Sequence, residues 1–144
     1  MKTHAEINSE AHDLSSNEVL AVLAPELTLL GFRVESGKKK NEKIPVPVFY
    51  GLNGQIEKSF DADAHHETLG YVVEVEAGRG VANNQFLKDL FQACMMDGVS
   101  ELCIAVRNDY KGQRDFLTVT KFMQTLFVSK RLSLPLRGLL VIGY

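Results

Sequence analysis

Three acidic residues at strand-like spacing are the side chains of this sequence best suited to chemistry. Glu74 and Glu76 are two residues apart in a segment of alternating apolar and acidic residues, and Asp63 lies in the preceding strand-like segment. Side chains two apart on a strand share a face and lie roughly 6.6 Å apart along it, so both carboxylates can approach one ion. Asp63 can supply a third oxygen from the neighbouring strand.

Carboxylates gathered in a partly buried site repel each other and resist desolvation, and a divalent cation compensates both effects. Ligands that are all oxygen suit Mg²⁺ or Mn²⁺ better than zinc. We therefore predict that Asp63, Glu74 and Glu76 bind Mg²⁺ or Mn²⁺. Two alternatives stay open. Asp61 faces the same way as Asp63 and is a rival for the first ligand position, and the two glutamates can simply form the solvated face of their strand.

Cationic side chains suited to a phosphate backbone come from three places. Arg79 follows the glutamates and can contact phosphate or pair with Glu76. The other candidates are Lys88 and the basic run Lys38, Lys39, Lys40 and Lys43, which is equally typical of a solvated loop. His65 and His66 are adjacent on a strand and point to opposite faces, so at most one can join the site.

The elements that must position these residues follow from periodicity and caps. Ser15 and Glu18 have capping-box spacing before an apolar helical pattern that Gly31 ends, and Pro25 predicts a kink or two short pieces. The remaining expected elements are an irregular strand Ile44–Tyr50, a turn at Asn53-Gly54, strands Ile56–Ala64 and Tyr71–Ala77, a helix capped by Asn83 or Asn84, a buried strand Leu102–Val106, a helix from Asp115, and a strand Leu139–Ile142. This order predicts one α/β domain over residues 1–144 with a mixed sheet, in which residues 1–14 are loosely packed or disordered.

Composition narrows the class of protein. The 144 residues are 45% hydrophobic and 24% charged, as in a globular protein, and the net charge of −2 gives no global basic field for nucleic acid. No run approaches the ~18 apolar residues of a membrane span, so we expect no membrane partner and a cytoplasmic protein. Cys94 and Cys103 are too few and too far apart for a disulfide framework or a metal knuckle, and we expect free thiols in a reducing compartment.

A resemblance is carried by the residues around the acidic cluster. The segments are Asp63-Ala64-His65-His66, Gly70 to Arg79 with its Glu-Val-Glu-Ala-Gly-Arg, Asn83-Asn84, and Leu87-Lys88-Asp89-Leu90. They resemble a group of small bacterial proteins that looks related to the restriction-endonuclease-like (PD-(D/E)xK) nuclease superfamily. The similarity covers residues 60–110 well and the rest through element order. It implies a restriction-endonuclease-like core, in which an antiparallel meander and parallel strands form a central mixed sheet flanked by helices.

The resemblance also implies roles. Asp63 and Glu74 become metal ligands and Glu76 takes the third motif position, where most members carry a lysine that positions or activates the attacking water. We therefore expect a Mg²⁺-dependent nuclease that hydrolyses DNA, acting as a homodimer on duplexes, with Arg79 or Lys88 as the cation missing from position 76. The alternatives are an inactive nuclease-fold protein that binds nucleic acid or protein, and an enzyme for another phosphate substrate.

Overall fold

A five-stranded mixed sheet organises the chain. The computed structural model describes residues 2–78 and 80–144. The sheet has the strand order β1-β4-β5-β6-β7, and β2 pairs with β3 in a separate two-stranded sheet. In chain order the elements are α1 (Lys2–Ile7), α2 (Ser16–Leu29), β1 (Arg33–Val34), β2 (Ile44–Tyr50), β3 (Ile56–Ala62), β4 (Ala64–His66), β5 (Tyr71–Glu76), α3 (Gln85–Met95), β6 (Glu101–Val106), α4 (Asp115–Ser129) and β7 (Gly138–Gly143). The predicted α/β fold with a mixed sheet is confirmed.

Pairing directions explain the composition of the strands. β4 pairs antiparallel with both β1 and β5, whereas β5, β6 and β7 run parallel. The central strand β6 is covered on both faces, which is why its sequence is continuously apolar from Leu102 to Val106. One row across the parallel strands aligns Glu74, Ile104 and Val141.

Different elements cover the two faces of the sheet. On one face α1 and α2 pack through Ile7, Val19 and Leu20. On the other face α3, α4 and the β2–β3 hairpin pack together, and the hairpin is tied to the end of α3 by the Asp97 amide, which donates to the Pro47 carbonyl at 2.7 Å. The N-terminal residues 2–7 are therefore helical, and Ile7 is part of the core. None of the helices formed by the described residues is long and apolar enough to cross a bilayer.

The helix α2 begins and ends where its sequence predicts. The Ser15 hydroxyl accepts from the Glu18 amide while the Glu18 carboxylate accepts from the Ser15 amide, which completes a capping box. At the other end Gly31 has a φ of +92° that a side chain would strain, and it closes the helix. Pro25 lies inside α2, which is one helix and not two short pieces, because the buried apolar side of the helix holds it on the sheet.

The predicted three-strand meander is wrong in one respect. The expected single strand Ile56–Ala64 is divided at Asp63, so β3 pairs with β2 and β4 crosses to the main sheet. Two hydrogen bonds fix the break, since the Asp63 carbonyl accepts from the Glu35 amide at 2.8 Å and its carboxylate accepts from the Val75 amide at 2.7 Å. Because of this bend, the Asp63 side chain does not follow the alternation of side-chain directions that a straight strand would impose.

Candidate functional site

Asp63 projects from the bend between β3 and β4 toward β5. Its Oδ2 accepts a hydrogen bond from the Val75 amide, which lies between the two glutamates. The pKa of this carboxyl is raised from 3.8 to about 6, chiefly by burial; the charges of Glu35 and Glu76 also raise it, and the Val75 hydrogen bond lowers it. Asp61 is exposed on β3 opposite Pro45, so Asp63 and not Asp61 adjoins the glutamates.

Glu74 and Glu76 project from β5 on the face covered by α3. They share this face with Val72, a member of the core beneath α3 and α4. Burial raises the pKa of Glu74 well above 4.5, and the charges of Asp63, Asp89 and Glu76 add to the effect. Burial raises the pKa of Glu76 to about 8, with the charge of Asp89 and a hydrogen bond to it as further causes. The plain solvated strand face therefore does not describe these two carboxyls.

Asp89 is the acidic residue of this site that sequence reasoning missed. It lies on α3, is only 4% exposed, and has an Oδ2 that is buried without a hydrogen-bond partner among the described residues. Burial raises its pKa to about 6, while its hydrogen bond with Glu76 lowers it. A hydrogen bond between the Glu76 and Asp89 carboxyls requires a proton on one of them, and the raised pKa of both groups favours that protonated state. The sequence feature that could have identified Asp89 is its position three residues after Phe86 and four before Ala93, which places it on the buried side of the helix.

The cations near the cluster differ from most of those predicted. Lys88 is mostly exposed, and its Nζ lies 3.9 Å from Oδ1 of Asp89. Lys43 donates to Glu35 at 2.7 Å, and Glu35 adjoins Asp63 through the backbone. The contact to Glu35 raises the pKa of Lys43, with smaller contributions from Asp61 and Asp63. No sequence signal singled out Glu35.

The other predicted contributors make no ion pair with the carboxyls or lie outside the described residues. Lys38, Lys39 and Lys40 are exposed at a short 3₁₀ turn, and none of them forms an ion pair with another described residue. Arg79 lies outside the described residues. Asn84 is the N-cap of α3, but its side chain makes no capping hydrogen bond because its φ of +53° places it in the left-handed region.

The two histidines have structural surroundings. His65 is buried in β4, and burial lowers its pKa, which keeps the ring neutral. The His66 Nδ1 accepts from the Leu69 amide at 3.3 Å, and its ring meets Phe32 edge to face. These contacts account for both side chains without a ligand role.

The cluster suits an oxygen-binding cation by its donor chemistry. The pKa values of four carboxyls, those of Asp63, Glu74, Glu76 and Asp89, are raised by burial and by neighbouring charges, and Oδ2 of Asp89 has no hydrogen-bond partner among the described residues. In their present orientations, no three potential ligands within residues 2–78 and 80–144 are grouped to hold an ion. Binding of a cation would therefore require deprotonation of the carboxyls and their rotation toward a common point.

No protein-family model matches this chain, and comparisons with curated proteins and with solved structures give no match.

Proposed function

We propose that this protein is a divalent-cation-dependent nuclease that hydrolyses phosphodiester bonds in DNA on a restriction-endonuclease-like core. The observation that carries the proposal is the gathering of one buried and three partly buried carboxyls on the bend at Asp63, on β5 and on α3. Each has a raised pKa, and so each resists ionisation when no cation is bound. Such an arrangement costs stability, and a divalent cation would offset the cost.

Each carboxyl has a role in this proposal. Asp63 and Glu74 hold Mg²⁺ or Mn²⁺, and Glu76 with Asp89 binds the same ion or orients the attacking water. The bound cation supplies polarisation of the scissile phosphate and a lower pKa for water. Lys88, whose Nζ lies 3.9 Å from Oδ1 of Asp89, is a candidate cation for the phosphate, and Arg79, Lys38, Lys39 and Lys40 are further candidates for contact with the DNA backbone.

The test is a cleavage assay on supercoiled plasmid, single-stranded DNA and bis(p-nitrophenyl) phosphate with Mg²⁺ or Mn²⁺. We expect wild-type cleavage that EDTA abolishes and that Glu74→Gln reduces by at least ~100-fold. Asp61→Asn is the matched control, since it removes an exposed carboxyl two residues from Asp63. Equal turnover by wild type and Glu74→Gln on every substrate would rule out the proposal. Turnover of the small diester alone would point to a phosphate substrate other than DNA.

A second candidate is a nuclease-fold protein without catalysis that binds nucleic acid or protein. The observation that favours it is the pair of Glu76 and Asp89, whose raised pKa values favour protonation and so partial neutralisation of the site where most members of the superfamily carry lysine. Calorimetric titration with Mn²⁺ at about pH 8 separates the candidates. Binding that Glu74→Gln removes supports the nuclease, and no binding by the wild type supports the inactive protein.

Assembly and location are further parts of the proposal. A homodimer would provide one site for each strand of a duplex. Cys94 and Cys103 are both free thiols, which suits a reducing cytoplasm.

A further inference from the structure

The strand β7 is an edge of the five-stranded sheet, and no described strand pairs with its outer side. The Tyr144 amide donates to Val106 and its carbonyl accepts from Asn108, so the backbone groups of Tyr144 point toward β6. Because backbone direction alternates along a strand, those of Leu139, Val141 and Gly143 point outward. A row of free donors and acceptors on an edge strand is a template for pairing with another strand.

The side chains of this edge carry none of the features that usually prevent such pairing. The strand Gly138–Gly143 contains no charged residue and no proline. On the face covered by α1 and α2, those helices reach β4 to β6 and leave Leu140 47% and Ile142 43% exposed. A large part of the strand's apolar surface therefore meets water.

The opposite face of β7 adds an apolar groove. The groove runs between β7 and α4, has a volume of about 350 Å³, and is lined on the strand side by Leu139 and Val141. On the helix side Phe127 is half exposed and Val128 mostly exposed. Apolar surface thus flanks the free backbone edge on both faces.

We infer that β7 is the interface through which two copies of this chain pair, antiparallel and about a two-fold axis at Val141. An axis normal to the sheet keeps each face on its own side, so a residue must meet one of the same parity. Centred on Val141, the pairing sets the outward groups of Leu139 against those of Gly143 of the partner subunit. It also sets exposed Leu140 against exposed Ile142 of the partner subunit. A second copy is the occupant because, in this register, the strand matches both its own outward backbone groups and its own exposed side chains. The helix α4 of the second copy would also close the two apolar grooves against each other.

This register has a consequence that rests on the proposed nuclease function. Val141 lies in the same row as Glu74, so the two-fold axis places both carboxylate clusters in one row on the same side of the joined sheet. They are then five strand spacings apart, roughly 24 Å across the strands. Two sites on one side of a dimer are what cleavage of both strands of a duplex requires.

Analytical ultracentrifugation of the full chain is the first test, at protein concentrations from about 1 to 200 µM without metal or DNA. We expect a species of twice 16.0 kDa. The double variant Leu140→Lys/Ile142→Lys should weaken dimerisation by at least ~100-fold, since like charges would face each other across the axis. The matched control Leu29→Lys/Leu30→Lys adds the same charges at exposed positions at the end of α2 and should dimerise as the wild type does. A monomer at every concentration, or a dimer that the β7 lysines leave intact, overturns the inference.

Disulfide trapping tests the register in a Cys94→Ala background, with the buried Cys103 retained. Val141→Cys should form a cross-linked dimer under mild oxidation, because directly opposed residues in a hydrogen-bonded antiparallel pair have Cα atoms about 5.5 Å apart. Leu140→Cys should not, because it faces position 142 of the partner subunit, but a mixture of Leu140→Cys and Ile142→Cys chains should. Cross-linking of Leu140→Cys alone overturns the register. None of these readouts depends on DNA cleavage, so failure of the dimer and failure of the nuclease are distinguishable.

Discussion

Substitution of Asp63 by asparagine should stabilise the metal-free protein at alkaline pH. The raised pKa means that the folded state holds the Asp63 proton more tightly than the unfolded state does. The resulting stability is fully present below about pH 3.8 and is lost as the pH rises to about 6. One pKa unit corresponds to about 1.4 kcal/mol, so the rise of the Asp63 pKa from 3.8 to about 6 corresponds to at most about 3 kcal/mol of folding free energy.

The asparagine introduced by this substitution cannot ionise, and its side-chain oxygen can still accept from the Val75 amide. We therefore expect Asp63→Asn to exceed the wild type in free energy of unfolding by up to about 3 kcal/mol at pH 8, and to match it near pH 4. The assay is urea denaturation in EDTA at unit steps from pH 4 to 8. Asp61→Asn, which alters an exposed carboxyl, should change the free energy of unfolding by no more than about 0.5 kcal/mol at any pH.

Two results would refute this reasoning. One is an Asp63→Asn variant less stable than the wild type at pH 8, and the other is a difference that is the same at pH 4 and pH 8. A further arm adds Mn²⁺ at pH 8, which should stabilise the wild type more than the variant, because Asp63 is a proposed ligand. Failure of that arm alone would count against the metal site and not against the buried carboxyl.

The remaining predictions concern the frame around the site. Gly78→Ala should destabilise the protein by about 1–3 kcal/mol in urea denaturation, because φ is +97° and a new Cβ would collide with the Tyr110 ring, whereas an unchanged midpoint would contradict that crowding. Ser15→Ala should cost about 1 kcal/mol through loss of the capping box with Glu18, and restoration by Ser15→Asp would separate capping from other effects. Arg107→Met should lower the free energy of unfolding by about 2–4 kcal/mol and speed proteolysis of residues 8–15, because this buried guanidinium holds that segment by two hydrogen bonds. An unchanged cleavage rate would show that other contacts suffice.

Local sequence was a good guide wherever short-range physics decides. The capping box at Ser15, the turn at Asn53-Gly54 and the alternation through Glu74 and Glu76 all lie in the expected elements. Asn53 and Gly54 both have positive φ, as a tight turn between antiparallel strands demands. In each case the residues that determine the conformation are within a few positions of one another.

Non-local contacts explain what the sequence did not disclose. The break in the strand at Asp63 depends on hydrogen bonds with Glu35 and Val75, and the two-residue strand β1 exists only because β4 lies beside it. Asp89 looked like an ordinary polar residue of an amphipathic helix. Its part in the cluster follows from the way α3 packs over β5.

By itself, the sequence determined that two glutamates share one face of a strand, because side-chain alternation is a property of the backbone alone. It also determined the order of helices and strands around them. Only the tertiary structure decided that Asp63 turns toward those glutamates, that Asp89 completes a partly buried group of four carboxyls, and that Lys38, Lys39 and Lys40 stay on an exposed turn. The reason is that burial and mutual repulsion of charges depend on distances between segments far apart in the chain, which no local pattern encodes.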